Sequence, residues 1–293
     1  FGTPVTLGKN QTKSVSMRRY EPLSRPTAPL SEGVAPKGKK LTCTDVVATL
    51  QQWGDVVKLT DVIVDTHEDN VPLECESLLT EQYTECIEVV RFGVLKGGTN
   101  VFYANGAARA SVNTVFNRGH LRKIVRALKS AKAKYYTEII SATVKVGTQP
   151  VGPCFWGMCH TDLEADIRNL TGFVPVEQYA DDKARIPGEV GKCENIRFVC
   201  TPLCEPWADI GAADATLIGT TAPGTAIDVY PIIIVAPDAY AMVGMKGANA
   251  IQLKIVNPGK PSAGNELGQQ GSAGWITYHA CVITQDLWMA RLE

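Results

Sequence analysis

Hydrophobic and polar positions follow no helical period over the first forty residues. From Phe1 to about Lys40 the chain is rich in Lys, Arg, Pro, Ser and Thr, and Pro4, Pro22, Pro26, Pro29 and Pro36 exclude a continuous helix. Residues 1–12 are expected to form an extended arm. Weak alternation over Ser14–Tyr20 and the β-branched run over Leu41–Thr60 predict two long strands. The Pro- and Gly-rich stretch between them, 22–38, would be the distal tip of a long hairpin spanning 13–57. It is too polar to carry its own core, so such a finger needs a partner surface.

A helical period begins at about Asn70 and runs to Lys96, with Pro72 in its first turn, Glu74 and Glu76 near its positive end and Gly97-Gly98 as a stop. Cys75, Leu79, Tyr83, Cys86, Val90 and Val94 build one apolar stripe. At about 1.5 Å rise per residue this helix would be roughly 35 to 40 Å long, which is long for a domain of this size. A second helix is predicted from about Arg118 to Lys134, with Leu121, Ile124, Val125 and Leu128 inward. A third opens at Thr161, where Thr161-x-x-Glu164 reads as a capping box and Leu163, Ile167 and Leu170 face inward. Strand-like runs follow at 139–146, 196–201, 227–236, 250–256 and 275–284, and the Ala-, Gly- and Thr-rich stretch 210–226 reads as a flexible surface loop. The order of elements is α+β rather than a regular βαβ alternation, and no internal repeat is visible.

Composition narrows the class. With 293 residues, 45% of them hydrophobic, the chain can bury a sizeable core as one elaborated domain or two interleaved ones. Twenty-nine Lys and Arg against thirty Asp and Glu leave a net charge of −1, so no global field recruits nucleic acid or an anionic membrane. No apolar run approaches the roughly 18 residues of a spanning helix, and no membrane partner is expected. A chain opening on Phe1, without Met or a signal-like segment, is expected to be the processed or visible part of a longer one.

Candidate chemistry is sparse. Nine cysteines cannot all pair internally, and free, mostly buried thiols in a reducing compartment are expected. Cys154, Cys159 and His160, with Cys193, Cys200 and Cys204, could in principle hold zinc, but C-x4-C-H and C-x6-C-x3-C do not match paired C-x2-C knuckles. The neighbours Cys159 and His160 would diverge rather than form a nucleophile and base. Glu74 with Glu76, and Asp181 with Asp182, read as helix-end or loop charges, and no nucleotide-binding, hydrolase or metalloprotease motif is present. No catalytic residue, cofactor or metal site is therefore expected. The helix at 118–134 carries Arg118, Arg122, Lys123, Arg126, Lys129, Lys132 and Lys134 with no intervening acid. It could touch phosphates as a nucleic-acid-binding module, although a solvated or subunit-facing side is the simpler reading. The cations of the arm and hairpin suit acidic patches on neighbouring copies, such as the Glu-rich long helix.

Several stretches resemble a known family. Val15-Ser16-Met17-Arg18-Arg19-Tyr20-Glu21-Pro22-Leu23, Leu30-Ser31-Glu32-Gly33-Val34, Asp65-Thr66-His67-Glu68-Asp69 and Gly98-Thr99-Asn100-Val101-Phe102-Tyr103 look like the major capsid proteins of tailed bacteriophages, coliphage N-four type. Asp162-Leu163-Glu164-Ala165-Asp166-Ile167-Arg168, Pro187-Gly188-Glu189-Val190-Gly191, Asn257-Pro258-Gly259 and Gly274-Trp275 extend the likeness, in order, across nearly the whole chain. The resemblance implies the Hong Kong 97 capsid fold and no enzymatic activity. Copies would form hexamers and pentamers of an icosahedral shell around double-stranded DNA, assembled in the host cytoplasm, with portal, scaffold and decoration proteins as further partners. It implies an N-terminal arm at 1–12, an extended hairpin loop at 13–57, a peripheral domain with a spine helix at 58–115, an axial domain at about 116–245 and a return to the peripheral domain at 246–293. Cys154, Cys159, Cys193, Cys200 and Cys204 lie outside the pattern and leave a separate thiol role open. Arg18, Arg19, Tyr20 and Glu21 on one hairpin strand, and Trp53 on the other, are the expected intersubunit contacts.

Overall fold

A computed structural model describes residues 1–10, 12–29, 32–33, 35, 38–137, 149–179, 186–214, 226–247, 251–259, 261 and 264–293. The arm is not merely extended: it contains β1 (Thr3–Leu7). The hairpin follows as β2 (Ser14–Tyr20) and β3 (Cys43–Thr49), antiparallel and in register from Ser14 opposite Thr49 to Tyr20 opposite Cys43. After the buried Leu50 the chain continues as β4 (Gln51–Thr60), α1 (Asp61–Thr66) and α2 (Val71–Leu95). Then come β5 (Val101–Phe102), α3 (Arg118–Ser130), β6 (Phe155–Cys159), α4 (Glu164–Arg168), β7 (Val174–Pro175), β8 (Glu189–Cys193) and β9 (Ile196–Cys200). The chain closes with β10 (Ile232–Val235), β11 (Tyr240–Met245), β12 (Ile251–Val256), β13 (Gln270–Ile283) and β14 (Met289–Leu292).

Two sheets organise these strands. In the first, β13 is the shared member: Gln270–His279 pair with β4, Ser272–Thr277 also pair with β12, and His279–Ile283 pair with β11, which holds β1 in parallel. Gly54 and Gly274 let β4 and β13 approach closely, since a Cβ at Gly54 would meet the Trp275 carbonyl oxygen at 2.5 Å and one at Gly274 the Asp55 oxygen at 2.7 Å. The amphipathic helix α2 covers this sheet through Leu79, Cys75, Tyr83 and Cys86, packed against Leu59, Ala273 and Trp275. Trp275 Nε1–H donates to Gln82 Oε1 at 3.0 Å and its ring meets Tyr83 edge-on at 5.4 Å. Towards its C-terminal end the helix buries Ile87, Phe92 and Leu95, while Val90 and Val94 of the expected stripe are only half-buried.

The second sheet has seven strands in the order β5-β14-β10-β6-β9-β8-β7. Both faces are covered. Phe155 and Cys159 of β6 and Ile232 and Ile234 of β10 pack under Leu121, Ile124 and Leu128 of α3. The alternate residues Trp156, Met158, Ile233 and Val235 face Phe92 and Leu95 of α2. A sheet buried on both sides favours apolar residues at successive positions, as in β6 and β10, while the buried Arg291 of β14 is paired with Glu293.

Several sequence expectations are corrected. The helix predicted to Lys134 ends at Ser130, because Lys132 takes φ 58° and the Ala133 N–H closes back on the Leu128 oxygen at 3.0 Å. Thr161 opens no capping box: Thr161–Leu163 is a 3-10 turn capped by His160, whose Nδ1 accepts the Asp162 N–H at 3.1 Å, and α4 beyond it is five residues long. Of 227–236 only Ile232–Val235 is a strand in the sheet. Val229 instead exchanges two backbone hydrogen bonds with Trp207, at 2.9 and 3.0 Å, and Pro231 has no N–H to offer. The strand predicted from Trp275 starts earlier, at Gln270. The run 139–146 and most of the loop 210–226 lie outside the described residues, as do Asp181 and Asp182; at the loop's described end, Gly211 N–H donates to Ile227 O at 2.9 Å.

Candidate functional site

The hairpin presents two different faces. Alternation along β2 turns Val15, Met17 and Arg19 towards the body and leaves Ser14, Ser16, Arg18 and Tyr20 outward. Val15 and Met17 pack, with Ala48, Leu50 and Val243, into a small core that roots the finger on β1 and β11. Arg19 belongs to that root: its Nη1 donates to the Thr284 carbonyl at 2.9 Å. Of the predicted contact residues, Arg19 therefore serves the fold of its own chain.

The outward face is different in character. Arg18 Nε lies 3.2 Å from Asp45 Oδ1 across the ladder, with both side chains more than half exposed. Tyr20 is 58% exposed, and Leu23 and Val47 are equally open. Glu21 continues the ladder through its N–H to Thr42 O at 3.0 Å and accepts the Thr44 hydroxyl at 3.3 Å. Every described residue from Glu21 to Thr42 is exposed. Between the root and the body lies a cleft of about 860 Å³, lined by Met17, Arg19, Glu21, Lys132, Asp238 and Trp288 among others.

Trp53 does not join this group. It sits on β4 opposite Thr277 of β13, half-buried against Leu59, Leu79 and Trp275. The chain crosses from hairpin to sheet at Leu50, so the long β-branched run is two strands with different partners and Trp53 belongs to the second. Also missed from sequence are several exposed apolar side chains: Val56, on the face of β4 away from α2, Val62 of α1, and Leu73 and Leu78 of α2. For Leu73 and Leu78 the available signal was their position off the apolar stripe of α2.

The basic helix is less free than its sequence suggests. Leu121, Ile124 and Leu128 are fully buried, and the N-terminus is closed by a capping box in which Asn117 Oδ1 accepts the His120 N–H and His120 Nδ1 accepts the Asn117 N–H, each at 3.2 Å. Glu194, from the turn between β8 and β9, receives both Arg118 and Arg122, the latter at 3.0 Å. Burial pushes the Glu194 carboxyl up, but the two guanidinium hydrogen bonds outweigh it and hold the group below its ordinary value. Lys129 lies 5.8 Å over the Tyr135 ring, while Lys123 and Arg126 are exposed.

The cysteines do not converge on a metal. Among the described residues no three of His, Cys, Asp and Glu are placed to hold an ion. Cys154, Cys193 and Cys204 are buried, each donating to a backbone oxygen, Gly152, Thr171 and Pro231 respectively, and the buried Cys159 sulfur lies 3.6 Å from the Val199 oxygen. His160 turns away from Cys159, towards Asp162 and the Tyr230 ring, 5.3 Å between centroids. Cys159 and Cys200 are neighbours, with sulfurs 3.3 Å apart.

No family model matches the chain. Among curated proteins it is similar to the major capsid protein of Pseudomonas phage KPP21, 22% identical over 250 residues that cover 80% of this chain and 61% of that protein. The chain thus spans less than two thirds of that relative's length. Among solved structures it is similar to the capsid of Ralstonia phage GP4, with a TM-score of 0.66 and 12% identity over 99% of this chain and 86% of that one. The capsid of cyanophage P-SCSP1u gives 0.63 and 12% over 99% and 85%, and the mature capsid of bacteriophage PhiM1 gives 0.60 and 11% over 100% and 85%. These likenesses show a phage-capsid fold, and the proteins they name are structural components of shells, not enzymes.

Proposed function

We propose that this chain is the major capsid protein of a tailed phage, with a subunit of the Hong Kong 97 type whose copies form hexamers and pentamers and close into an icosahedral shell around double-stranded DNA. The observation that carries this reading is the finger: residues 14–49, shorter than the 13–57 expected because β4 belongs to the sheet, extend from a rooted base, the described tip is wholly exposed, and the outer face offers Arg18, Tyr20, Leu23 and Val47 to a second surface. The likeness to capsid structures over nearly the whole chain supports the same reading.

On this reading 1–12 is the arm, 58–115 the peripheral domain with α2 as its spine, about 116–245 the axial domain and 246–293 the return to the peripheral domain, with β11 crossing back early to the first sheet and β5 and β14 reaching into the second. The exposed apolar residues of α1 and α2, Val62, Leu73 and Leu78, with the Glu-rich side of α2, would receive a neighbour's finger. Contact areas of about 1,600 Å² would be ample, since closed symmetry repeats each one many times. Packaged DNA would meet the inner surface without sequence specificity, while portal, scaffold and decoration proteins would be further partners. Assembly would take place in the host cytoplasm. A nucleic-acid-binding module built on α3 has weaker support, because Glu194 already engages Arg118 and Arg122.

The test is negative-stain electron microscopy of the purified full chain, with sedimentation of the same sample. Closed particles or capsomer rings are expected from the unaltered protein. Arg18→Glu should lose at least tenfold in particle yield while its unfolding free energy stays within ~0.5 kcal/mol of the parent, since exposed pairs contribute little to stability. Normal particles from that variant would sink the assignment of the outward face to assembly.

A further inference from the structure

The C-terminal ends of β6 and β9 bring two thiols together. β6 and β9 are parallel neighbours at the centre of the seven-stranded sheet, and their last residues, Cys159 and Cys200, are registered opposite each other. Adjacent strands lie about 4.8 Å apart, inside the span of roughly 4.4 to 6.8 Å between Cα atoms that a disulfide bridges. The sulfurs already stand 3.3 Å apart, and the chain is cross-braced there by the Thr201 N–H to Cys159 O hydrogen bond at 2.9 Å. Only side-chain rotation separates this pair from bonding distance.

The two thiols differ in access and in acidity. Cys159 is fully buried, whereas Cys200 is half-buried at the strand end, near Arg168 and Glu164. The hydrogen bond between the sulfurs raises Cys159 well above an ordinary thiol, with burial adding to it, and lowers Cys200, whose thiolate accepts that bond. Cys204, the nearest further cysteine, is pushed up to about 12 by burial and donates to Pro231 O at 3.8 Å. The reactive member is thus Cys200, with Cys159 behind it.

We propose that Cys159 and Cys200 form a redox site that closes to an intrachain disulfide when the protein meets a low-molecular-weight disulfide. The Cys200 thiolate attacks one sulfur of the small disulfide, forming a mixed disulfide and releasing one small thiolate. Cys159 then gives its proton to a departing thiolate and attacks the Cys200 sulfur, releasing the second small thiol. Two protein thiols are oxidised and one small disulfide is reduced to two thiols. The product fastens two central strands and encloses the segment containing α4, β7 and β8.

The experiment uses the full chain, fully reduced and then incubated with excess oxidised glutathione at pH 8. The sample is quenched in acid, alkylated under denaturing conditions and mapped by peptide mass. Cys159 and Cys200 should lose their two alkyl tags and appear as one cross-linked peptide pair within a single chain, reversed by a phosphine reductant. Cys159→Ser should leave glutathione trapped on Cys200, and Cys200→Ser should leave Cys159 unmodified. Exposed Cys43 reports in the same sample that the oxidant is active. Full alkylation of Cys159 and Cys200 beside a glutathionylated Cys43, or a Cys200 bonded to Cys204 or to another chain, would overturn the proposal.

Discussion

Glu189 and Arg197 form the most deeply buried ion pair among the described residues. Two hydrogen bonds of 2.6 Å join them, their side chains are 0% and 3% exposed, and the guanidinium lies 4.6 Å over the Trp156 ring. Burying one charge without its partner is costly, so Glu189→Ala should destabilise the protein by about 3 to 5 kcal/mol in chemical denaturation. Replacing both residues with apolar ones of similar volume should recover most of that loss. His279 gives a second test. It is 6% exposed, faces Arg91 at 3.4 Å with Glu88 beyond it, and is held at about 4, first by burial and then by the arginine. The unfolded chain takes up this proton near the ordinary value of 6.5 but the folded one only near 4. Stability is therefore lost as pH falls through that window, by roughly 3 kcal/mol once complete. His279→Gln should flatten that part of the stability curve, and an unchanged acid limb would remove His279 as its source. Neither site was legible in the sequence, because a bulged ladder brings Glu189 to Arg197 and a helix-to-sheet contact brings Arg91 to His279.

Legibility is better for elements, and uneven for a physical reason. Both long helices show in the sequence because one face is buried and the other is wet, which imprints a 3.6-residue period. The strands β6, β10 and β14 are covered on both faces, so they lack the alternation that marks a half-buried strand. Cys154, Cys159 and His160 therefore read as candidate ligands, and the central strand Phe155–Cys159 between them went unread. The first turns of β13, Gly271-Ser272-Ala273-Gly274, carry little strand propensity and are fixed by pairing with β4. The α3 capping box also went unread, since His120 is an unusual partner in the third position. Asn117→Ala should cost about 1 kcal/mol, seen as a lower urea midpoint with an unchanged slope. No change would mean that tertiary packing alone holds that end.

For the whole molecule, the α+β class and the finger were readable because its tip lacks apolar residues enough for a core. The place where the finger ends was not, since 41–60 is one β-branched run whose partners change at Leu50. Glu21 and Thr42 are already hydrogen-bonded, so an Asn-Gly turn can replace residues 22–41 between them. That variant should unfold within ~0.5 kcal/mol of the parent, because the described residues it removes are all exposed, yet form no closed particles by electron microscopy. Particles of normal size would show that the tip is dispensable for assembly.

The passage through Leu50 also makes the finger a mechanical element. β3 leads into β4 with a single residue between them, and all ten residues of β4 are registered against β13. A tug on the fingertip that is carried along β4 would act parallel to that ladder, stretching its hydrogen bonds together in shear instead of peeling them apart one at a time. The same β13 holds β12 and β11, so the load would spread from one projecting tip across the sheet that α2 braces from behind.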